Sequence, residues 1–219
     1  MTRLVLIRHA PTPWNREKRL QGRTDTPLDA AGERWVARWR LPEEARGVDA
    51  VSSPLARARR TAEILLDGPV ATDPRLAEMG YGAWEGERLP DLRARLGREL
   101  ARLEAAGWDF HAPGGESPRA VWARLAPFLR DSAAAGVDRV AVCHNGVIRT
   151  ILAVATGWNF TGKPPAKLRD GAAHFFQLDA DGGPSVERLN LPLTAAPPPG
   201  PQRPPGDPAG PGEARRRDD

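Results

Sequence analysis

The chain contains one cysteine, Cys143, in 219 residues. That excludes an intrachain disulfide and fits a reducing compartment, so a cytoplasmic location is expected. No apolar run approaches the length of a membrane span, and no membrane association is expected. Leu4–Ile7 is too short for the apolar core of a signal peptide, so none is expected. No Gly-rich loop ends in Lys-Ser or Lys-Thr, which leaves a nucleoside-triphosphate loop unsupported. No Gly-x-Gly-x-x-Gly comes after the first apolar run. No close set of His, Cys and carboxylates has metal-ligand spacing, so neither metal nor cofactor is expected. The net charge is only +4, mostly from excess arginine. That mildly favours anionic partners and is no nucleic-acid signature, so no nucleic-acid partner is expected.

Large apolar side chains stop at Leu193. Residues 194–219 are mostly Pro, Gly, Ala and charge, ending in Arg215-Arg216-Arg217-Asp218-Asp219. Such a segment cannot offset its ordering entropy and is expected to be disordered. The folded domain is expected over residues 1–193. Within it, apolar runs alternate with helical patterns. Leu4–Ile7, Asp49–Ser52, Val70–Thr72, Arg139–Cys143, Ala172–Leu178 and Ser185–Leu189 read as strands. Asp29 caps a helix that carries Trp35, Val36 and Trp39. Ser53-Pro54 places an N-cap and a helix-opening proline before Leu55–Leu66. Residues 90–104 read as a charged surface helix. Ser117-Pro118 opens a helix through about Ala133 with a kink expected at Pro127. Another helix runs from Gly146 to Thr156. This alternation predicts an α/β fold, a three-layer sandwich whose mostly parallel central sheet is flanked by helices.

Two of the apolar runs end in histidine. Leu4-Val5-Leu6-Ile7 leads into Arg8-His9, and Val140-Ala141-Val142-Cys143 leads into His144-Asn145-Gly146. If the two strands are parallel neighbours, both imidazoles sit at one sheet edge, where open α/β sheets bind ligands. A guanidinium beside an imidazole suits anion capture next to a nucleophile or a proton carrier. Arg57 lies in the first turn of the helix after the second strand. By residue type alone, an anion contact and a solvated surface position serve it equally. Glu78 lies in a Gly-rich aromatic loop, where a partly desolvated carboxyl can act as a general acid. An exposed turn acid is the competing reading.

These residues together resemble the histidine phosphatase superfamily, the group that includes cofactor-dependent phosphoglycerate mutases. Leu6-Ile7-Arg8-His9 is similar to its signature, succeeded at the family's spacing by Thr12, Trp14, Asn15, Gln21-Gly22, Asp25, Leu28 and Gly32. Ser52 through Ala62 is similar to a second block. Leu76 and Glu78 with Gly82 and Trp84-Glu85-Gly86 is similar to a third. Gly114-Gly115-Glu116-Ser117 and His144 through Arg149 complete the pattern. The resemblance implies that His9 takes a phosphoryl group and that Arg8, Arg57 and His144 hold its oxygens. It implies that Glu78 protonates the leaving alcohol and then serves as base for water. Thr12, Asn15, Gln21, Gly22 and Asn145 are implied on the substrate-binding side. Two departures stand out. Ala10 replaces the usual glycine after the histidine, which would hold the backbone slightly farther from a phosphate. Asn145 stands where glycine is common; asparagine tolerates positive φ better than other non-glycine residues, so the turn can survive.

The resemblance leaves three activities in view. Mutases of the family carry a longer insertion after the general-acid loop, whereas here Glu78 and the Gly114-Gly115-Glu116 block lie close together. The expectation is therefore metal-independent hydrolysis of a small phosphate monoester, a phosphorylated metabolite, through a phosphohistidine on His9. A cofactor-dependent phosphoglycerate mutase and a non-catalytic phosphate-binding protein on the same fold are the alternatives. The expected state is a monomer or a homodimer.

Overall fold

The computed structural model describes residues 1–193. The expected tail at 194–219 lies outside the described residues. In chain order the elements are β1 (Thr2–Arg8), α1 (Pro13–Arg16), α2 (Ala30–Val36), β2 (Asp49–Ser52), α3 (Ala56–Leu66), β3 (Ala71–Thr72), α4 (Leu89–Leu96), α5 (Arg98–Glu104), α6 (Pro118–Ala135), β4 (Arg139–Cys143), α7 (Asn145–Thr156), β5 (Ala172–Leu178) and β6 (Pro184–Pro192). Short 3-10 turns connect several of them. The six strands form one sheet in the order β3-β2-β4-β1-β5-β6. The first four are mutually parallel; β5 runs antiparallel to β1, and β6 antiparallel to β5, closing one side.

The central strands are apolar at successive positions because helices cover both of their faces. Leu4 and Leu6 pack with Ala141, Cys143 and Phe176 against Leu125 and Phe128 of α6 and Ile148 and Ile151 of α7. Val5 and Ile7 pack the other way, with Val140, Val142 and Phe175, against Trp35 and Val36 of α2 and Ala58 and Ala62 of α3. The expected three layers arise from this period-2 division of one apolar run. None of the helices among the described residues is long and apolar enough to cross a membrane.

Local details differ from the sequence reading. The 90–104 stretch is two helices, broken at Gly97, whose φ is 49°. It is not merely a charged surface, since Leu92 and Leu100 are buried with Trp84 and Ala112 in a third cluster. Each short helix is amphipathic, and its charges occupy only the outer face. Helix α6 continues through Pro127 to Ala135. Ser53 does not cap α3, which begins at Ala56 with Leu55 before it. The Ala56 N–H is instead met by Asp25 Oδ1 at 2.7 Å, a cap supplied from a distant loop.

Candidate active site

The parallel pairing of β1 and β4 sets Arg8 opposite Cys143. Beyond that register the His9 N–H donates to the Cys143 carbonyl at 3.0 Å. The residues just past each strand are therefore side by side, and the rings of His9 and His144 lie 5.1 Å apart between centroids. Both rings are buried. His9 Nδ1 is 2.7 Å from the Ala10 carbonyl, which can only accept, so Nδ1 carries the proton. That leaves Nε2 with its lone pair outward. Burial, reinforced by Arg8 and Arg57, holds His9 well below the usual imidazole range, so the ring is neutral at neutral pH. Burial likewise depresses His144, with His9 and Arg57 adding to it.

Three buried nitrogens of the residues around this edge have no hydrogen-bond partner. Arg57 is fully buried; its terminal nitrogens donate to the carbonyls of Thr24 at 2.9 Å and Gly22 at 2.8 Å, and its Nε is left buried and unpaired. Arg8 donates to Asp170 at 2.6 Å and also keeps a buried, unpaired Nε. His144 Nε2 lies 2.7 Å from Ser53 Oγ, and its Nδ1 is buried without a partner. A buried donor left unsatisfied costs about 1–3 kcal/mol. Several at one sheet edge is an arrangement that a multi-oxygen anion would relieve.

Glu78 is buried at the start of α7. Its Oε1 accepts from the N–H groups of Met79 at 2.8 Å and Gly146 at 3.0 Å. Gly146 is required by this contact, because a Cβ there would stand 2.4 Å from Glu78 Oε1. The loop is anchored behind by Glu116, which accepts from the Gly80 N–H and from Arg124, while Arg124 donates to the Glu78 carbonyl at 3.2 Å. A second anchor is Glu85, which accepts from the N–H groups of Arg23, Thr24 and Tyr81 and from the Thr24 hydroxyl. Burial raises the Glu85 carboxyl, but the hydrogen bonds outweigh burial and hold it below the usual carboxylate range. Glu85 thereby fixes the loop whose carbonyls grip Arg57.

The structure brings His9, Arg8, Arg57, His144 and Glu78 to one strand edge. Thr12 caps α1, and its hydroxyl lies 2.9 Å from Gln21 Oε1 and 3.1 Å from Asn15 Oδ1. Thr12 and Gln21 thus serve to hold the loop. Gly22 contributes its carbonyl to Arg57 and has a φ of 56°. Asn145 is the first residue of α7 and has no positive φ, so its tolerance of one is not called on; the turn is made by an extended His144 before it. Ala10 is fully buried with Val36 and Ala58, so its methyl group points into the core. The sequence reading named Ser53 only as a helix cap and Glu85 and Arg149 only within family-like blocks, and gave none of them a role in the site. Arg149 stands four residues after Asn145, a spacing that places both on one helix face.

A cavity of about 570 Å³ adjoins the edge. Met79, Tyr81 and Trp84 line one side, Phe110 another, and Asn145 and Arg149 line the side formed by α7. Among the described residues, no group of three His, Cys, Asp or Glu could hold a metal ion.

Paired neutral imidazoles among unpartnered guanidinium donors, beside a cavity large enough for a small molecule, define an oxyanion-handling site on a mostly parallel α/β sheet. The chain belongs to the histidine phosphatase superfamily (branch 1), whose family model matches residues 4–192. It is 29% identical over 198 residues to a 2,3-bisphosphoglycerate-dependent phosphoglycerate mutase of Azorhizobium caulinodans, covering 84% of this chain and 96% of that one. It is 37% identical over 169 residues to a glucosyl-3-phosphoglycerate phosphatase of Mycolicibacterium vanbaalenii, covering 71% and 74%. Its fold matches phosphoserine phosphatase of Entamoeba histolytica, in a crystal structure with phosphoserine, with a TM-score of 0.72 at 26% identity, covering 87% and 97%.

Proposed function

We propose that the protein hydrolyses a small phosphate monoester without metal, through a phosphohistidine on His9. The observation that carries this reading is the His9 ring. Its Nδ1 proton is committed to the Ala10 carbonyl, which leaves Nε2 a lone pair, and the neighbouring His144 Nδ1 and the Nε atoms of Arg8 and Arg57 are buried without partners. In the first step Nε2 attacks phosphorus, the N–P bond forms and the ester P–O bond breaks. The departing oxygen takes a proton from Glu78. In the second step Glu78 takes a proton from water, the water oxygen attacks phosphorus and the N–P bond breaks, restoring neutral His9. Phosphoryl transfer asks mainly for positioning and charge stabilisation. Arg8 and Arg57 supply permanent charge through their free Nε–H groups. When Ser53 donates to His144 Nε2, His144 presents Nδ1–H to a third oxygen.

Hydrolysis is favoured over isomerisation by the short connection between Glu78 and Gly114, and phosphatases stand among the relatives and similar structures. The phosphoglycerate mutase relative, which matches most of this chain, keeps isomerisation as the second reading. Supplying 3-phosphoglycerate with 2,3-bisphosphoglycerate separates the two. The expected result is release of inorganic phosphate with no 2-phosphoglycerate formed, in the presence of a chelator. Sustained isomerisation would replace the hydrolytic reading, and loss of all turnover in chelator would contradict the metal-free site.

A further inference from the structure

A third buried guanidinium nitrogen lacks a partner among the described residues, and it is not at the phosphoryl edge. Arg149 Nε is buried and makes no hydrogen bond among the described residues. Arg149 lies on α7 one helical turn beyond Asn145, about 6 Å along the axis, and both residues line the cavity. Its guanidinium carbon stands 5.1 Å from the centre of the Trp158 ring and 6.0 Å from that of Phe160. Those two rings are stacked on each other at 4.5 Å. Phe160, beside Arg149, holds a φ of 66°, an unfavourable conformation for a bulky residue. Stacking on aromatic faces fixes the guanidinium plane and leaves its N–H edge free. The cavity's other arginine, Arg93, is paired with Glu104 at 3.4 Å, whereas Arg149 has no carboxylate partner among the described residues.

Resting on the phosphatase reading, we propose that Arg149 is a specificity residue that binds a carboxylate on the leaving group of the ester. Charge count favours carboxylate over a second phosphate. The phosphoryl edge opposes its dianion with two arginines and two imidazoles, while the cavity offers one unpaired guanidinium. A carboxylate accepts two parallel N–H bonds from one guanidinium edge. Asn145 directly follows His144 and lies one helical turn before Arg149, so a leaving group of a few carbons would reach from the edge toward Arg149.

The test compares two esters that differ in one group, 3-phosphoglycerate and glycerol 3-phosphate, whose hydroxymethyl replaces the carboxylate. In the wild type kcat/KM favours 3-phosphoglycerate. In Arg149→Gln the value for 3-phosphoglycerate falls about ten- to a hundredfold, and that for glycerol 3-phosphate changes less than about threefold. Arg149→Lys, which keeps charge but not the planar fork, recovers part of the preference. Equal losses on both esters in both variants, or no preference in the wild type, would overturn the proposal. Binding separates this outcome from failure of the phosphatase reading. In a His9→Ala background, which cannot form the phosphohistidine, calorimetry is expected to show 3-phosphoglycerate binding more tightly than glycerol 3-phosphate. That difference disappears when Arg149→Gln is added. Persistence of the difference would overturn the role of Arg149 whichever reaction the protein performs.

Discussion

The phosphoryl edge and the adjoining cavity share helix α7, yet they are assembled by different means. The edge is made where strands stop. His9 and His144 come directly after β1 and β4, and their separation is set by the parallel register that puts Arg8 opposite Cys143. The cavity is made where no strand reaches, from the loop after Glu78, the turn around Phe110, the first two turns of α7 and the loop around Phe160. At the edge, backbone carbonyls and fixed side chains hold each charged group. In the cavity, aromatic faces support a single unpaired cation. The difference predicts that reaction chemistry is rigid and general, while substrate choice is local and easily altered.

Changes at the edge should therefore act on every ester alike. His9→Ala is expected to lower kcat at least about a thousandfold on all substrates, since it removes the attacking nitrogen. Arg57→Met is expected to cost about a hundred- to a thousandfold, again irrespective of leaving group. It should also lower the melting temperature, because the Gly22 and Thr24 carbonyls lose their donor. Steady-state kinetics on an alkyl phosphate and on p-nitrophenyl phosphate check both; strong dependence on the ester would break the comparison.

Glu78 lies at the boundary. Glu78→Gln is expected to slow alkyl esters about a hundredfold and p-nitrophenyl phosphate much less, because nitrophenolate departs without a proton. Equal slowing of both would remove Glu78 from leaving-group protonation. A cavity change should be milder still. Trp158→Ala takes one ring from under Arg149 and is expected to raise KM for 3-phosphoglycerate about three- to tenfold, with kcat nearly unchanged.

The smallest effect is on stability. The folded His9 and His144 rings are held below the unfolded value, so the unfolded chain binds more protons as the pH falls below about 6.5. Stability is full above that pH and declines below it. His174, lowered by burial to about 4, contributes in the same direction down to that pH. His9→Asn should flatten the decline in melting temperature between pH 6.5 and 4, and Arg149→Gln should not. An unchanged slope in His9→Asn would mean that the edge imidazole titrates normally.

The same contrast explains what could be read from the sequence. Leu4–Ile7 and Val140–Cys143 announce buried parallel strands, and residues directly after such strands lie at one edge, so Arg8, His9 and His144 were legible from local pattern. Arg57 at the start of a helix was undecided between an anion contact and a surface position, and only the family resemblance placed it in the site. Glu85 and Glu116 were not legible, because they act on backbone N–H groups across 61 and 36 positions of sequence. Ser53 has the local pattern of a helix cap, but its partner, His144, is 91 positions away. The tolerance of asparagine for positive φ is not needed at Asn145, because the extended His144 makes the turn and Asn145 starts the helix. Arg149 resembles any helical arginine in the sequence; only the fold brings Trp158 and Phe160 against it.

Rapid-quench labelling with a 32P-labelled phosphate ester tests the central claim most directly. The account predicts an acid-labile, base-stable label that appears within the first turnover, maps to His9 and decays at the rate of phosphate release. Turnover that proceeds with no label on His9, or with label on another residue, would contradict it.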